Sequence, residues 1–125
     1  MVRKINLAEQ FARFADHWNP RIAGELNGQH VKLVKFQGSF VWHCHASEDE
    51  LFLVVKGEFT MEFRRDQRDV ETLLIREGEF AIVPRGVPHR PCALTEVQVL
   101  LFEPASTLNT GNVQNERTRA ELGTI

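Results

Sequence analysis

With 125 residues, 42% of them hydrophobic and 26% charged, the chain has the size and balance of one folded domain and too little length for two ordinary ones. A formal net charge of −2, with acids and bases interspersed, offers no field for gathering nucleic acid or an anionic membrane, and no apolar run approaches the ~20 residues of a membrane helix. The basic start Met1-Val2-Arg3-Lys4-Ile5 lacks the apolar core of a signal peptide, and two cysteines, read as free buried thiols, suit a reducing compartment, so a cytoplasmic location is expected.

In chain order, Asn6-Leu7-Ala8-Glu9 offers a helix cap, and Leu7, Phe11, Phe14, Ala15 and Trp18 recur at helical spacing. They predict an amphipathic helix from Leu7 to His17, stopped by Asn19-Pro20. Ile22 to Leu26 and His30 to Phe36 flank Asn27-Gly28, a two-residue hairpin signal because both positions tolerate positive φ. Further strands are expected over Phe40–His45, Leu51–Val55, Glu58–Arg64, Val70–Ile75, Phe80–Val83 and Glu96–Glu103, a density that argues for an all-β antiparallel barrel or sandwich. The polar end reads as turn, then a short capped helix from Asn115 to Leu122. A helical segment over 1–20, a barrel over 21–104 and a tail over 105–125 make up the single domain.

Inside that pattern lies His43-Cys44-His45. Alternation along an extended strand puts His43 and His45 on one face and Cys44 on the other. A short polar turn follows, and Glu50 opens the returning strand, so a carboxylate can join the two imidazoles. Asp49 is the alternative carboxylate. Far downstream, the segment from Gly78 to Val83 runs into Pro84-Arg85-Gly86-Val87-Pro88-His89, a turn fixed by two prolines and a glycine that delivers one more histidine. His17 and His30 fit neither pattern.

These residues resemble the cupin family, whose two motifs read G-x5-H-x-H-x3-4-E-x6-G and G-x5-P-x-G-x2-H-x3-N. Gly38 stands one residue late, and His43, His45, Glu50 and Gly57 then fall in register. Gly78, Pro84, Gly86 and His89 match without a gap, and Ala93 replaces the final asparagine. The resemblance implies a jelly-roll barrel, a double-stranded β-helix, with His43, His45, Glu50 and His89 as ligands of one divalent transition metal per chain: Fe, Mn, Ni, Co or Zn. Three neutral imidazoles and one carboxylate leave such an ion with about one excess positive charge, which favours a small anionic or chelating ligand. Octahedral coordination would leave two positions open.

For the wall around the site, inward parity suggests Phe52 and Val54, then either Phe59, Met61 and Phe63 or Thr60, Glu62 and Arg64, with Phe80, Ile82 and part of Gln98, Leu100 and Phe102. Cys92 near the mouth is a candidate functional thiol. Leu51, Leu53 and Val55 then point outwards, as does an apolar excess in Val97–Phe102, and the outer face needs a cover from the helix or from a second copy in a homodimer. The chain contains no tyrosine, so a thiol dioxygenase built on a Cys-Tyr crosslink is excluded. The expected function is a metal-dependent enzyme acting on a small metabolite, a dioxygenase or an isomerase, and the alternative is a non-catalytic small-molecule-binding module.

Overall fold

The computed structural model describes residues 2–125. One short helix, α1 (Leu7–Phe11), precedes seven strands: β1 (Arg21–Leu26), β2 (Gln29–Ser39), β3 (Glu50–Lys56), β4 (Glu58–Arg64), β5 (Val70–Arg76), β6 (Phe80–Val83) and β7 (His89–Pro104). All strand pairs are antiparallel, in the order β1-β2-β7-β3-β6, with β4 and β5 attached through β7. The long β7 serves both sides of the barrel. Its first residues, His89–Cys92, pair with β4, and its later ones, Val97–Pro104, pair with β2, those from Gln98 to Phe102 with β3 as well.

The Asn27-Gly28 hairpin forms as expected, with φ of 52° and 76° at its two turn residues. Strands β4 and β6 have the expected bounds, β1, β2, β3 and β5 run slightly longer, and β7 begins at His89 instead of the expected Glu96, which adds the whole arm that pairs with β4. Inside the barrel, Val34, Phe36, Phe52, Val54, Phe59, Met61, Val97, Val99 and Leu101 belong to the buried core. Of the two parities open for β4, the apolar one is inward.

Several expectations are corrected. The helix ends at Phe11 instead of reaching His17, because its apolar residues belong to two different cores. Phe11 packs outside the barrel with Leu33 and Ala23, whereas Trp18 (φ 60°) enters the barrel and stacks on Phe36 and Phe40. A straight helix would hold both on one side. The carbonyl of Phe14 instead accepts from Lys35 Nζ at 2.6 Å, and Trp18 N donates to Lys35 O at 2.9 Å, which fixes the unwound chain.

Residues 40–45 are extended but form no ladder beyond a single bridge, His43 to His89. Pro91, opposite them, has no N–H to return, so only its carbonyl is used, by Phe40 N at 3.0 Å. In β6 the expected parity is reversed. Glu50 pairs with Val83 and Phe52 with Ala81, and cross-strand partners share a face, so Ala81 and Val83 point inwards while Phe80 and Ile82 point out, 60% and 55% exposed. In β7, likewise, Val99 faces Val54 and Leu101 faces Phe52, which turns Gln98, Leu100 and Phe102 outward. No helix forms over Asn115–Leu122. Asn115 Oδ1 accepts from Arg117 N, and Thr118 Oγ1 accepts from Asn115 N, so side chains there take over the bonds a helix would make.

Candidate metal centre

The bridge between His43 and His89 is the seat of the site. His43 N donates to His89 O at 3.1 Å and His89 N to His43 O at 2.8 Å, and residues paired in this way send their side chains to the same side. Their ring centroids are 4.3 Å apart. His45 is tied down by its carbonyl, which accepts from Gly86 N at 2.7 Å, so the Pro/Gly turn steadies one histidine and delivers another. Glu50 opens β3 on the inward face. The ligand atoms of His43, His45, Glu50 and His89 all lie within 4.8 Å of one another, and all four residues are buried.

Each tautomer follows from the second ring nitrogen. His43 Nδ1 lies 2.9 Å from Val41 O and His89 Nδ1 3.0 Å from Val87 O, so these nitrogens donate and leave Nε2 as a bare lone pair. Glu50 Oε1 is 3.3 Å from both His45 Nε2 and His89 Nε2. None of these three atoms has a hydrogen-bond partner, which is costly for buried polar groups. A cation among them would satisfy all three at once, so the donor set fits a divalent metal.

Protonation states agree with this geometry. Burial, and then the charge of neighbouring His89, push His43 down to about 4, so it is neutral at pH 7. Burial alone would raise Glu50, but His45 and His89, when a proton sits on the nitrogen facing it, outweigh that effect and hold the carboxyl well below the usual range, a role that a bound cation would take over. Next to Glu50 lies a pair that the sequence reading missed. Glu103 is buried, and desolvation together with the Glu50 charge pushes its carboxyl up, against the pull of Lys32, whose Nζ is 3.7 Å from Glu103 Oε1. The available signal was charge on an apolar parity: Lys32 shares a face with Val34 and Phe36, and Glu103 with Val99 and Leu101.

A cavity of about 30 Å³, room for one or two waters, touches His43 and Glu50 and is walled by Trp18, Phe36, Phe40, Phe52 and Asn109. At its aromatic wall the Arg117 guanidinium lies 5.5 Å from the Trp18 ring and 5.9 Å from that of Phe40. Among the described residues it has no carboxylate within ion-pair distance. Of the sequence alternatives, Asp49 is exposed and pairs with Arg85 at 3.2 Å, away from the cluster. Cys44 and Cys92 are free and half-buried, and neither joins the cluster. Cys92 lines no mouth of this cavity. Its thiol sits 3.0 Å from Glu62 Oε1, on the face of β4 opposite Met61, and burial pushes it up. Ala93, where the motif has asparagine, packs in the core. His17 pairs with Glu96 at 2.8 Å, and His30 lies 3.8 Å from Glu25.

Residues 30–103 match the family model described as a cupin domain. A cupin-2 domain protein of Shewanella frigidimarina is 39% identical, with a TM-score of 0.74 over 80% of this chain and 93% of its own. The protein YdbB of Bacillus subtilis (strain 168) is 36% identical over 66 residues, 53% of this chain and 55% of its own length, so the match spans about half of that curated relative. At 18% identity, hydroquinone 1,2-dioxygenase from Sphingomonas sp. TTNP3, in complex with 4-nitrophenol, superposes with a TM-score of 0.74 over 84% of this chain and 33% of that one, a likeness of fold.

Proposed function

The chain belongs to the cupin family, and from that premise we propose that it is a metal-dependent enzyme acting on a small anionic or chelating metabolite, as a dioxygenase or an isomerase does. The observation that carries this reading is the unpartnered cluster: Glu50 Oε1 and the Nε2 atoms of His45 and His89 are buried without a hydrogen-bond partner, with the carboxylate oxygen 3.3 Å from each nitrogen. His43, His45, Glu50 and His89 would hold one divalent ion per chain, from among Fe, Mn, Ni, Co and Zn. When bound, the metal supplies Lewis acidity at open coordination positions.

The chain's own residues supply the rest. The carbonyls of Val41 and Val87 hold the imidazoles of His43 and His89 in the ligating tautomer. Aromatic walls exclude bulk water from the cavity and strengthen electrostatic contacts within it. The excess positive charge of the loaded site favours an anionic group on the substrate, and the Arg117 guanidinium, stacked over the Trp18 and Phe40 rings of the wall, adds positive field nearby. The dioxygenase likeness rests on fold, so it supports the metal-and-dioxygen reading only by analogy.

Outside the barrel, Leu51, Ile82 and Phe102 lie side by side across three strands, and Leu53, Phe80 and Leu100 form the adjoining row. An apolar face of this kind supports a homodimer in which a second copy covers it. The two free thiols suit the cytoplasm. Elemental analysis of protein purified from its own host, followed by titration of the metal-loaded protein with oxalate and oxygen uptake with hydroquinone as probes, tests the function. One ion per chain and saturable oxalate binding are expected. Absence of metal would overturn the reading, and binding of ligand without turnover of any probe would favour the non-catalytic module.

A further inference from the structure

The tail beyond β7 does more than fill space. Cys44, the residue between the two clustered histidines of the first motif, has both of its backbone groups bound by one residue, 68 positions away: Cys44 N donates to Asn112 Oδ1 at 2.9 Å, and Asn112 N donates to Cys44 O at 3.1 Å. Beside it, Gly111 (φ 54°) passes so close that a Cβ there would overlap the Cys44 carbonyl and come within 3.1 Å of His43 Cδ2. Only glycine fits. Thr110 is fully buried and bonded to Thr118 Oγ1 at 2.7 Å, so the strap is braced from its far side.

This pair of hydrogen bonds matters because residues 40–45 are otherwise held only by Phe40 N to Pro91 O, the His43–His89 bridge and Gly86 N to His45 O. The segment has one bridge and no ladder, since Pro91 cannot donate to it. A strand in a full ladder would need no side-chain brace at this point. We infer that Asn112 is a positioning residue for the metal: with Gly111 packed against the His43 ring, it fixes the Cys44 peptide and thereby sets the spacing and aim of the His43 and His45 imidazoles. The inference rests on the metal reading above. Its energetic logic is that of other outer partners of ligands, whose removal loosens the geometry without removing a bond to the ion.

Cobalt(II), whose visible ligand-field bands report coordination geometry, is the probe. Metal-stripped protein is titrated with Co(II) against a competing chelator, as wild type, Asn112→Ala, Asn112→Asp and, as a control in the same tail, Arg119→Ala, with melting of the metal-free proteins measured in parallel. Asn112→Ala is expected to weaken Co(II) binding by about 10- to 100-fold and to alter the bands. Asn112→Asp keeps an acceptor for Cys44 N and should restore both. Arg119→Ala, which removes only bonds to the Glu116 and Thr118 carbonyls within the tail, should leave affinity and bands unchanged. Co(II) affinity and spectrum unaltered in a folded Asn112→Ala protein would overturn the inference alone, whereas a wild type that binds no Co(II) would overturn the metal reading beneath it. Should Asn112→Ala fail to fold, amide exchange of wild type decides: Co(II) is expected to slow exchange at Cys44 and Asn112 together, and exchange at these two amides indifferent to Co(II) would refute the coupling.

Discussion

Replacing Glu50 by glutamine separates two roles that a buried carboxylate can have. Glu50 Oε1 lies 3.3 Å from Nε2 of both His45 and His89, and none of the three atoms has a partner. An amide nitrogen placed where Oε1 now sits carries two hydrogens, one for each imidazole. Satisfying a buried polar atom is worth about 1–3 kcal/mol. At about 4 °C per kcal/mol for a domain of this size, Glu50→Gln is therefore expected to raise the melting temperature of the metal-stripped protein by roughly 4–12 °C. The same change removes the only negative charge among the four proposed ligands, so metal content should fall from one ion per chain to a small fraction. Melting in excess chelator and elemental analysis without it give the two readouts. If Glu50 instead serves mainly to pair with a protonated histidine, breaking that buried pair costs about 3–5 kcal/mol, and the melting temperature falls. A destabilised Glu50→Gln protein with undiminished metal would refute the argument that this cluster is built for a cation.

Three further outcomes are expected. His43 is held at about 4 against an ordinary 6.5, so folding favours its neutral form; the metal-free protein should lose on the order of 3 kcal/mol as pH falls from 6.5 to 4, read from urea midpoints, and His43→Gln should flatten that limb. Arg117→Gln should weaken oxalate binding to the metal-loaded protein by a few-fold through loss of a nearby positive charge, an effect that shrinks with added salt, and unchanged affinity in calorimetry would remove Arg117 from the ligand's surroundings. Ile82→Glu, on the exposed β6 edge of the outer apolar face, should turn a dimer into a soluble monomer in sedimentation, and a wild type already monomeric at micromolar concentration would leave that face without the proposed cover.

What the sequence made legible, and what it did not, divides along the range of the interactions involved. The four clustered side chains could be named because the cupin resemblance rests on short spacings: two histidines two residues apart, a carboxylate after a turn, where the motif chose Glu50 over Asp49, and a histidine at the end of a Pro/Gly turn. The Asn27-Gly28 hairpin was legible for the same reason. The parity of β6 was not, because Phe80, Ala81, Ile82 and Val83 are all apolar, and only their register against β3, far back in the chain, decides which pair points inward. The helix was overextended because periodicity sees the shared face of Phe11 and Trp18 but not the two separate cores that claim them. Lys32 and Glu103 were visible as charges in apolar rows, yet only tertiary contact shows that each answers the other and that Glu103 stands beside Glu50.

Both flanks of the chain close on one cavity. Trp18 reaches it from before β1, and Asn109 lines it from beyond β7, where Arg117 lies over the same aromatic wall. All three lie outside residues 30–103, the span that matches the family model, whereas His43, His45, Glu50 and His89 lie within it. The division has a physical basis. Metal-ligand geometry tolerates little variation in donor type or spacing, so Glu50 and His89 sit on paired strands, and the ladder-free segment with His43 and His45 is pinned by the His43–His89 bridge, the Pro/Gly turn and Asn112. A wall needs only shape and charge, which segments anchored by a few side-chain bonds can supply: the Lys35 clasp on Phe14 at one end and the Asn112 clasp on Cys44 at the other. Substituting Asn109 and Arg117 should therefore change which anion binds while leaving the Co(II) spectrum of the ligand-free site intact; a spectrum that shifts as far as it does on loss of the Asn112 clasp would show that wall and metal cannot be separated.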